Sequence, residues 1–280
     1  MRSRPSSRRA MFRRMVGFTL VEMIAVIVIT AVIAGGVAIF IRSPMQGYLD
    51  SVRRAALTDV ADTVLRRISR DLHSSLPNSV RVTTVGTTNY LEFLAMRTGG
   101  RYRANLDSGG GGNPLVFNLA DSVFDTMSPL SGLADDVIVN NSDRVVIYNL
   151  GIPGADAYNG DNTSVITGTG VSQITFAAKT FPLTSPGNRF QVISGPVTYG
   201  CDPTTGFLMR YWGYAIAAAQ PAPPAGATTA VLAQNVSDCQ FTYTANVVAQ
   251  RAGLVSMQLK LTQSGESVAL FYQAHVSNVP

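Results

Sequence analysis

An α+β architecture, with one long N-terminal helix followed by an antiparallel β-sheet head, is predicted by three features of the 280-residue chain. Residues 18–41 form an apolar run with a single charge, Glu22. Residues 49–72 repeat apolar side chains every three or four positions, the helical period. From residue 80 onward the apolar signal changes to short runs separated by Gly, Pro, Asn and Ser, the signature of strands. The expected segments are a basic leader (1–17), a membrane-length helix (18–41), its amphipathic continuation (42–76) and a β-rich head (77–280).

Six arginines, Arg2, Arg4, Arg8, Arg9, Arg13 and Arg14, precede the apolar run. As a helix, the run spans roughly 36 Å, enough to cross a bilayer. The basic side stays cytoplasmic and the remainder faces the opposite compartment. A carboxylate inside such a run costs roughly 2.5–3.5 kcal/mol unless it finds a partner, so Glu22 is a candidate functional residue. An ordinary secretory signal carries a small-residue cleavage site after its apolar core. Residues 30–36 imitate one, but Glu22 inside the core argues against that assignment.

The amphipathic continuation is read from Leu49, Val52, Ala56, Val60, Val64, Ile68 and Leu72. Arg53, Arg54, Asp62, Arg66, Arg67 and Arg70 fall mostly on the other face, with Asp62 and Arg66 in the favourable i,i+4 order. Pro77 ends the pattern and disfavours helix at Leu76. Pro44 removes a helix hydrogen bond, so a kink or local loosening is expected there, with Gly35 and Gly36 as a second weak point.

Strands are expected at 79–85, 90–96, 145–150, 171–176, 190–193, 197–199 and 207–214. Residues 99–113 carry six glycines and read as a loop without the lysine of a phosphate-binding loop. Residues 220–226 read as an exposed Pro/Ala-rich loop. The clearest hairpin is C-terminal: Val255, Met257, Leu259 and Leu261 alternate with polar residues, Ser264-Gly265-Glu266 turns, and Val268, Leu270, Tyr272, Ala274 and Val276 alternate back. The sheet is expected to pack on the apolar stripe of the helix.

The formal charge of +5 misleads. Without the six leader arginines, 16 basic and 17 acidic residues remain, a net of −1, which disfavours a nucleic-acid partner. Arg97, Arg101 and Arg103 form a basic cluster after the helix and read as a solvated loop. Cys201 and Cys239 are the only cysteines. In an oxidising compartment a lone pair reads as a disulfide, worth roughly 4 kcal/mol in the chain-entropy model. Two free thiols and a metal site are the competing readings; His73 and His275 do not sit at ligand spacing from either cysteine. No nucleophile–base motif is visible, so neither an enzyme nor a cofactor is expected. Asp156, Asn159 and Asp161 offer oxygen ligands for calcium, but Asp, Asn and Gly are equally the residues of turns.

The junction Gly17-Phe18-Thr19-Leu20-Val21-Glu22, between basic leader and apolar helix, resembles the class III leader junction of type IV pilins and pseudopilins. The resemblance implies cleavage between Gly17 and Phe18 by a prepilin peptidase, N-methylation of Phe18, and a role for Glu22 in setting the register of subunits. It also implies that the region near Pro44 can unwind in an assembled filament. Residues 71–81, the segment 197–202 with 206–212, residues 238–241 and the ending 265–280 resemble the MshO-type minor pilins of the mannose-sensitive haemagglutinin (MSHA) pilus system. PilW-like minor pilins and J-type pseudopilins share this plan.

The function so implied is a minor pilin that helps initiate or cap an MSHA-type pilus. Its partners would be the prepilin peptidase, the major and other minor pilins and the inner-membrane assembly platform. Its place would be the inner membrane, with a periplasmic head that can reach the pilus tip. The alternatives are a J-type pseudopilin of a type II secretion system and a pilus-tip adhesin.

Overall fold

The computed structural model describes residues 17–130, 138–248 and 252–280. The leader arginines lie outside the described residues. The chain divides into two compact units, one up to Val52 and one from Arg53 to Pro280.

Helix α1 (Leu20–His73) runs through Gly35, Gly36 and Pro44. Within its N-terminal unit, an 18-residue stretch has a mean hydropathy of 2.9 and is wholly unburied, so this helix is long and apolar enough to cross a membrane. Thr30, the one hydroxyl in the apolar run beyond the capping Thr19, donates to the Val26 and Ile27 carbonyls at 2.7 and 3.0 Å. That local bond satisfies a hydroxyl that lipid could not. The helix ends at His73, three residues before the expected boundary. Leu76 N–H instead donates to Leu94 O, and Met96 N–H to Ser74 O, so the segment before Pro77 is already bonded as sheet.

From Arg53 onward α1 belongs to the head. Its buried residues are Leu57, Ala61, Val64, Leu65, Ile68 and Leu72. The expected stripe holds at Val64, Ile68 and Leu72, but Leu49, Val52, Ala56 and Val60 are exposed. The reason is geometric: steps of four residues advance about 400°, so a row of them drifts about 40° per step off the buried face. Alternating steps of three and four keep that face.

The strands are β1 (Arg81–Val85), β2 (Thr88–Arg101), β3 (Asp121–Asp125), β4 (Arg144–Ile147), β5 (Thr163–Thr169), β6 (Gln173–Lys179), β7 (Arg189–Asp202), β8 (Phe207–Trp212), β9 (Thr228–Ala233), β10 (Val236–Val248), β11 (Ala252–Gln263) and β12 (Glu266–Ser277). The larger sheet runs β1-β2-β7-β4-β5-β6-β3, with β8 and β9 branching from β7. The smaller sheet is β10-β11-β12, and every pairing is antiparallel. Strand β7 carries both branches, because β4 pairs with its first half and β8 with its second.

One core lies among α1, the β1-β2-β7-β8 end of the larger sheet and the smaller sheet, with Ile68, Phe93, Tyr199, Phe241 and Met257 at its centre. A second, aromatic core lies under the β4-β5-β6-β3 end, where Phe124 contacts the rings of Tyr102, Phe176 and Phe190.

The glycine-rich loop begins later than expected, because β2 continues through Gly99 and Gly100 to Arg101. A Cβ on Gly100 would stand 3.0 Å from the Phe190 ring, so the glycine makes room for an aromatic on the neighbouring strand. The basic cluster is not a solvated loop either: Arg97 pairs with the fully buried Asp143 at 2.7 Å, and Arg103 with Asp125 at 3.5 Å.

Candidate functional site

The N-terminal site starts from helix capping. Thr19 precedes the first helical residue, and its Oγ1 accepts a hydrogen bond from Glu22 N–H at 3.3 Å. Met23 N–H then donates to Thr19 O at 3.1 Å, the first full helical bond. Thr19-Leu20-Val21-Glu22 therefore has the Thr-x-x-Glu pattern of a capping box. Glu22 is also the acidic residue of the first turn, where its charge faces the positive end of the helix dipole. The sequence reading passed over this local role, although the Thr-x-x-Glu spacing was its signal. Gly17 and Phe18 lie before the helix, both exposed, with open space around Gly17. Glu22 is exposed too, so all three are accessible to a partner.

In the head, Cys201 on β7 and Cys239 on β10 form a disulfide with a Cα–Cα distance of 6.4 Å. It joins the larger sheet to the smaller one, and both cysteines are buried. Asn89 Nδ2 donates to Cys239 O, holding β2 to the same point.

Two ionic nodes surround the end of the helix. Asp71, in its last turn, accepts from the phenol of Tyr199 and from Arg210. Arg81 is the larger hub. Its guanidinium meets Glu92 at 2.7 Å, donates to the carbonyls of Ala217 and Ala218, and lies 3.6 Å from the centre of the Tyr158 ring. Glu92 is 1 % exposed and also accepts from Thr198. Burial pushes its carboxyl above the ordinary glutamate range; Arg81 opposes this without overcoming it. Burial likewise raises the phenols of Tyr158 and Tyr214 beside it. The sequence reading missed this node, although a lone Glu inside the apolar run 90–96 pointed to it.

The candidate calcium residues are committed to the backbone. Asp161 Oδ2 accepts from Gly154 and Asp156 N–H, and Asp156 Oδ1 from Tyr158 N–H. Asn159 lies exposed in the same turn. Among the described residues, no three His, Cys, Asp or Glu side chains gather as a metal cluster. His73 and His275 are both exposed, one at the end of α1 and one on β12.

The chain thus offers an accessible N-terminal helix and a braced head. No protein-family model, curated protein or solved structure matches it.

Proposed function

We propose that this chain is a minor pilin that takes part in assembling an MSHA-type type IV pilus. Glu22 carries the reading: a lone, exposed carboxylate four residues after Phe18, at the start of an apolar helix. Cleavage after Gly17 leaves an ammonium on Phe18. In a neighbouring subunit that cation is the natural partner for Glu22, because a carboxylate in hydrocarbon is costly without one. The pair forms at one axial offset only, so it rewards correct register as subunits leave the membrane. The apolar helix then enters the filament core and the head stays outside. A head of this size suits a few copies at a priming or tip complex better than a whole shaft. The disulfide supports a head exported to an oxidising compartment.

The experiment is gene deletion, a count of surface pili by electron microscopy, and complementation with wild type, Glu22→Ala and Glu22→Gln. Glutamine at this position retains the capping-box capacity but not the charge. Loss of pili rescued by wild type alone supports the ion pair. Rescue by Glu22→Gln would assign Glu22 to capping and remove the register role. Normal pili in the deletion strain would end the priming role, and a secretion defect in that strain would move the chain to the J-type pseudopilins.

A further inference from the structure

Arg97 and Arg103 each find a carboxylate, but Arg101 between them does not. It ends β2 directly opposite Arg189, the first residue of β7. Cross-strand partners share a face of the sheet, and like charges placed there repel. Both side chains are exposed, and neither has an ion pair or a hydrogen bond among the described residues. The fold thus holds two cations side by side with nothing between them to offset the repulsion.

The same face continues two residues along, where Gly99 opposes Gln191. Gly99 has no side chain to cover its partner, and a Cβ there would stand 3.0 Å from Phe190 O. A cleft of about 420 Å³ opens here, the size of a small-molecule site. Arg101, Arg189 and Gln191 line it together with His73 from the end of α1, and no Asp or Glu does so among the described residues.

Gln191 is 7 % exposed, yet neither end of its amide has a hydrogen-bond partner among the described residues. A buried polar group without a partner is costly, so its presence in a cleft marks a place where a ligand supplies the missing bond.

We propose that this cleft binds an acidic sugar, its carboxylate between Arg101 and Arg189 and a ring hydroxyl on Gln191. Two guanidiniums call for an anion with oxygen acceptors in a plane, which a carboxylate supplies. The amide calls for a different group. One of its ends donates and the other accepts, and a hydroxyl serves either. A plain carboxylate brings acceptors only, and a neutral sugar brings no charge; a hydroxylated carboxylate brings both. Pro77 and Val279 add apolar wall for the C–H face of a ring, which phosphate lacks, and Ser277 adds a second hydroxyl partner.

The test is a calorimetric titration of the purified full-length chain in detergent with D-glucuronate, against acetate, D-glucose and inorganic phosphate. Glucuronate binds more tightly than any of the three. Arg101→Ser and Arg189→Ser each weaken it roughly tenfold or more. Both arginines are exposed and unpaired, so the thermal midpoint without ligand stays at the wild-type value or rises as the repulsion is relieved. Gln191→Leu removes the preference for glucuronate over acetate and leaves acetate unchanged. Glucuronate that fails to bind overturns the proposal, as does binding indifferent to both arginine substitutions. Phosphate binding as tightly as glucuronate overturns it too, and makes the cleft a phosphate site. None of these results bears on the role of Glu22.

Discussion

Tyr199 donates its phenolic hydrogen to Asp71 Oδ2 at 2.6 Å, tying the second half of β7 to the last turn of the helix. Arg210 Nε shares the same oxygen at 3.3 Å, and the Tyr199 side chain is otherwise enclosed in the core. Tyr199→Phe removes one charge-assisted bond and leaves the ring packing intact. The expected loss is about 1.5–3 kcal/mol, seen as a lower thermal midpoint of the full-length chain in detergent. Because Arg210 still holds Asp71, Tyr199→Phe should cost less than Tyr199→Ala, which also opens a cavity.

Arg81 and Glu92 predict a pH effect with a definite sign. The folded Glu92 carboxyl titrates above its unfolded value, so its contribution is complete below the ordinary glutamate range. That contribution declines as pH rises through the raised folded value. Arg81→Ala removes the cation facing a carboxyl that is 1 % exposed. At pH 7 this should destabilise by about 3 kcal/mol. The deficit relative to wild type should shrink toward pH 5, where the orphaned carboxyl protonates. Thermal midpoints at both pH values check it; an equal deficit at each would mean that Arg81 acts through the Ala217 and Ala218 carbonyls alone.

The N-terminal helix and the C-terminal hairpin were legible because each signal is local. An unbroken apolar run makes a helix long enough to cross a membrane, and Ser264-Gly265 between alternating runs makes a hairpin. The same locality explains the errors. Strands β3, β5 and β9 escaped notice because they are short and their burial depends on distant partners, whereas β10 was missed although Cys239, Phe241 and Tyr243 alternate with Gln240, Thr242 and Thr244. The runs 190–193 and 197–199 are a single strand, β7, in which Gly195 at φ 125° separates two apolar stretches without ending the pairing. In the candidate site, Gly17, Phe18 and Glu22 were visible as a motif. The Arg81–Glu92 hub was not, since its members come from β1, β2 and the 217–218 loop, far apart in sequence.

Gly200 predicts a steric effect that no sequence pattern announces. It lies on β7, and a Cβ there would stand 2.9 Å from Tyr90 Cε1 and 3.0 Å from Tyr211 Cε2. Two tyrosine rings therefore close over the bare backbone. Gly200→Ala forces both to move and should cost about 1–3 kcal/mol. Tyr211→Ala, by freeing one side, should make the alanine more tolerable. A double-mutant cycle on thermal stability measures that coupling, and strict additivity would show that the rings relax independently.

The disulfide yields the last prediction. Cys201 and Cys239 form the one disulfide between the two sheets among the described residues. They close a separation of 38 residues that includes β8 and β9. Replacing both cysteines with alanine should cost about 4 kcal/mol, chiefly by freeing the unfolded chain. Reductant should lower the wild-type midpoint by a similar amount and leave the double variant unchanged. The comparison separates two contributions that a single measurement merges. If reductant shifts the midpoint much less than the double substitution does, the missing stability lies in the packing of two buried sulfurs against the core. If the shifts match, the covalent closure itself holds β10 to β7, and the head depends on the oxidising compartment in which the proposed assembly takes place.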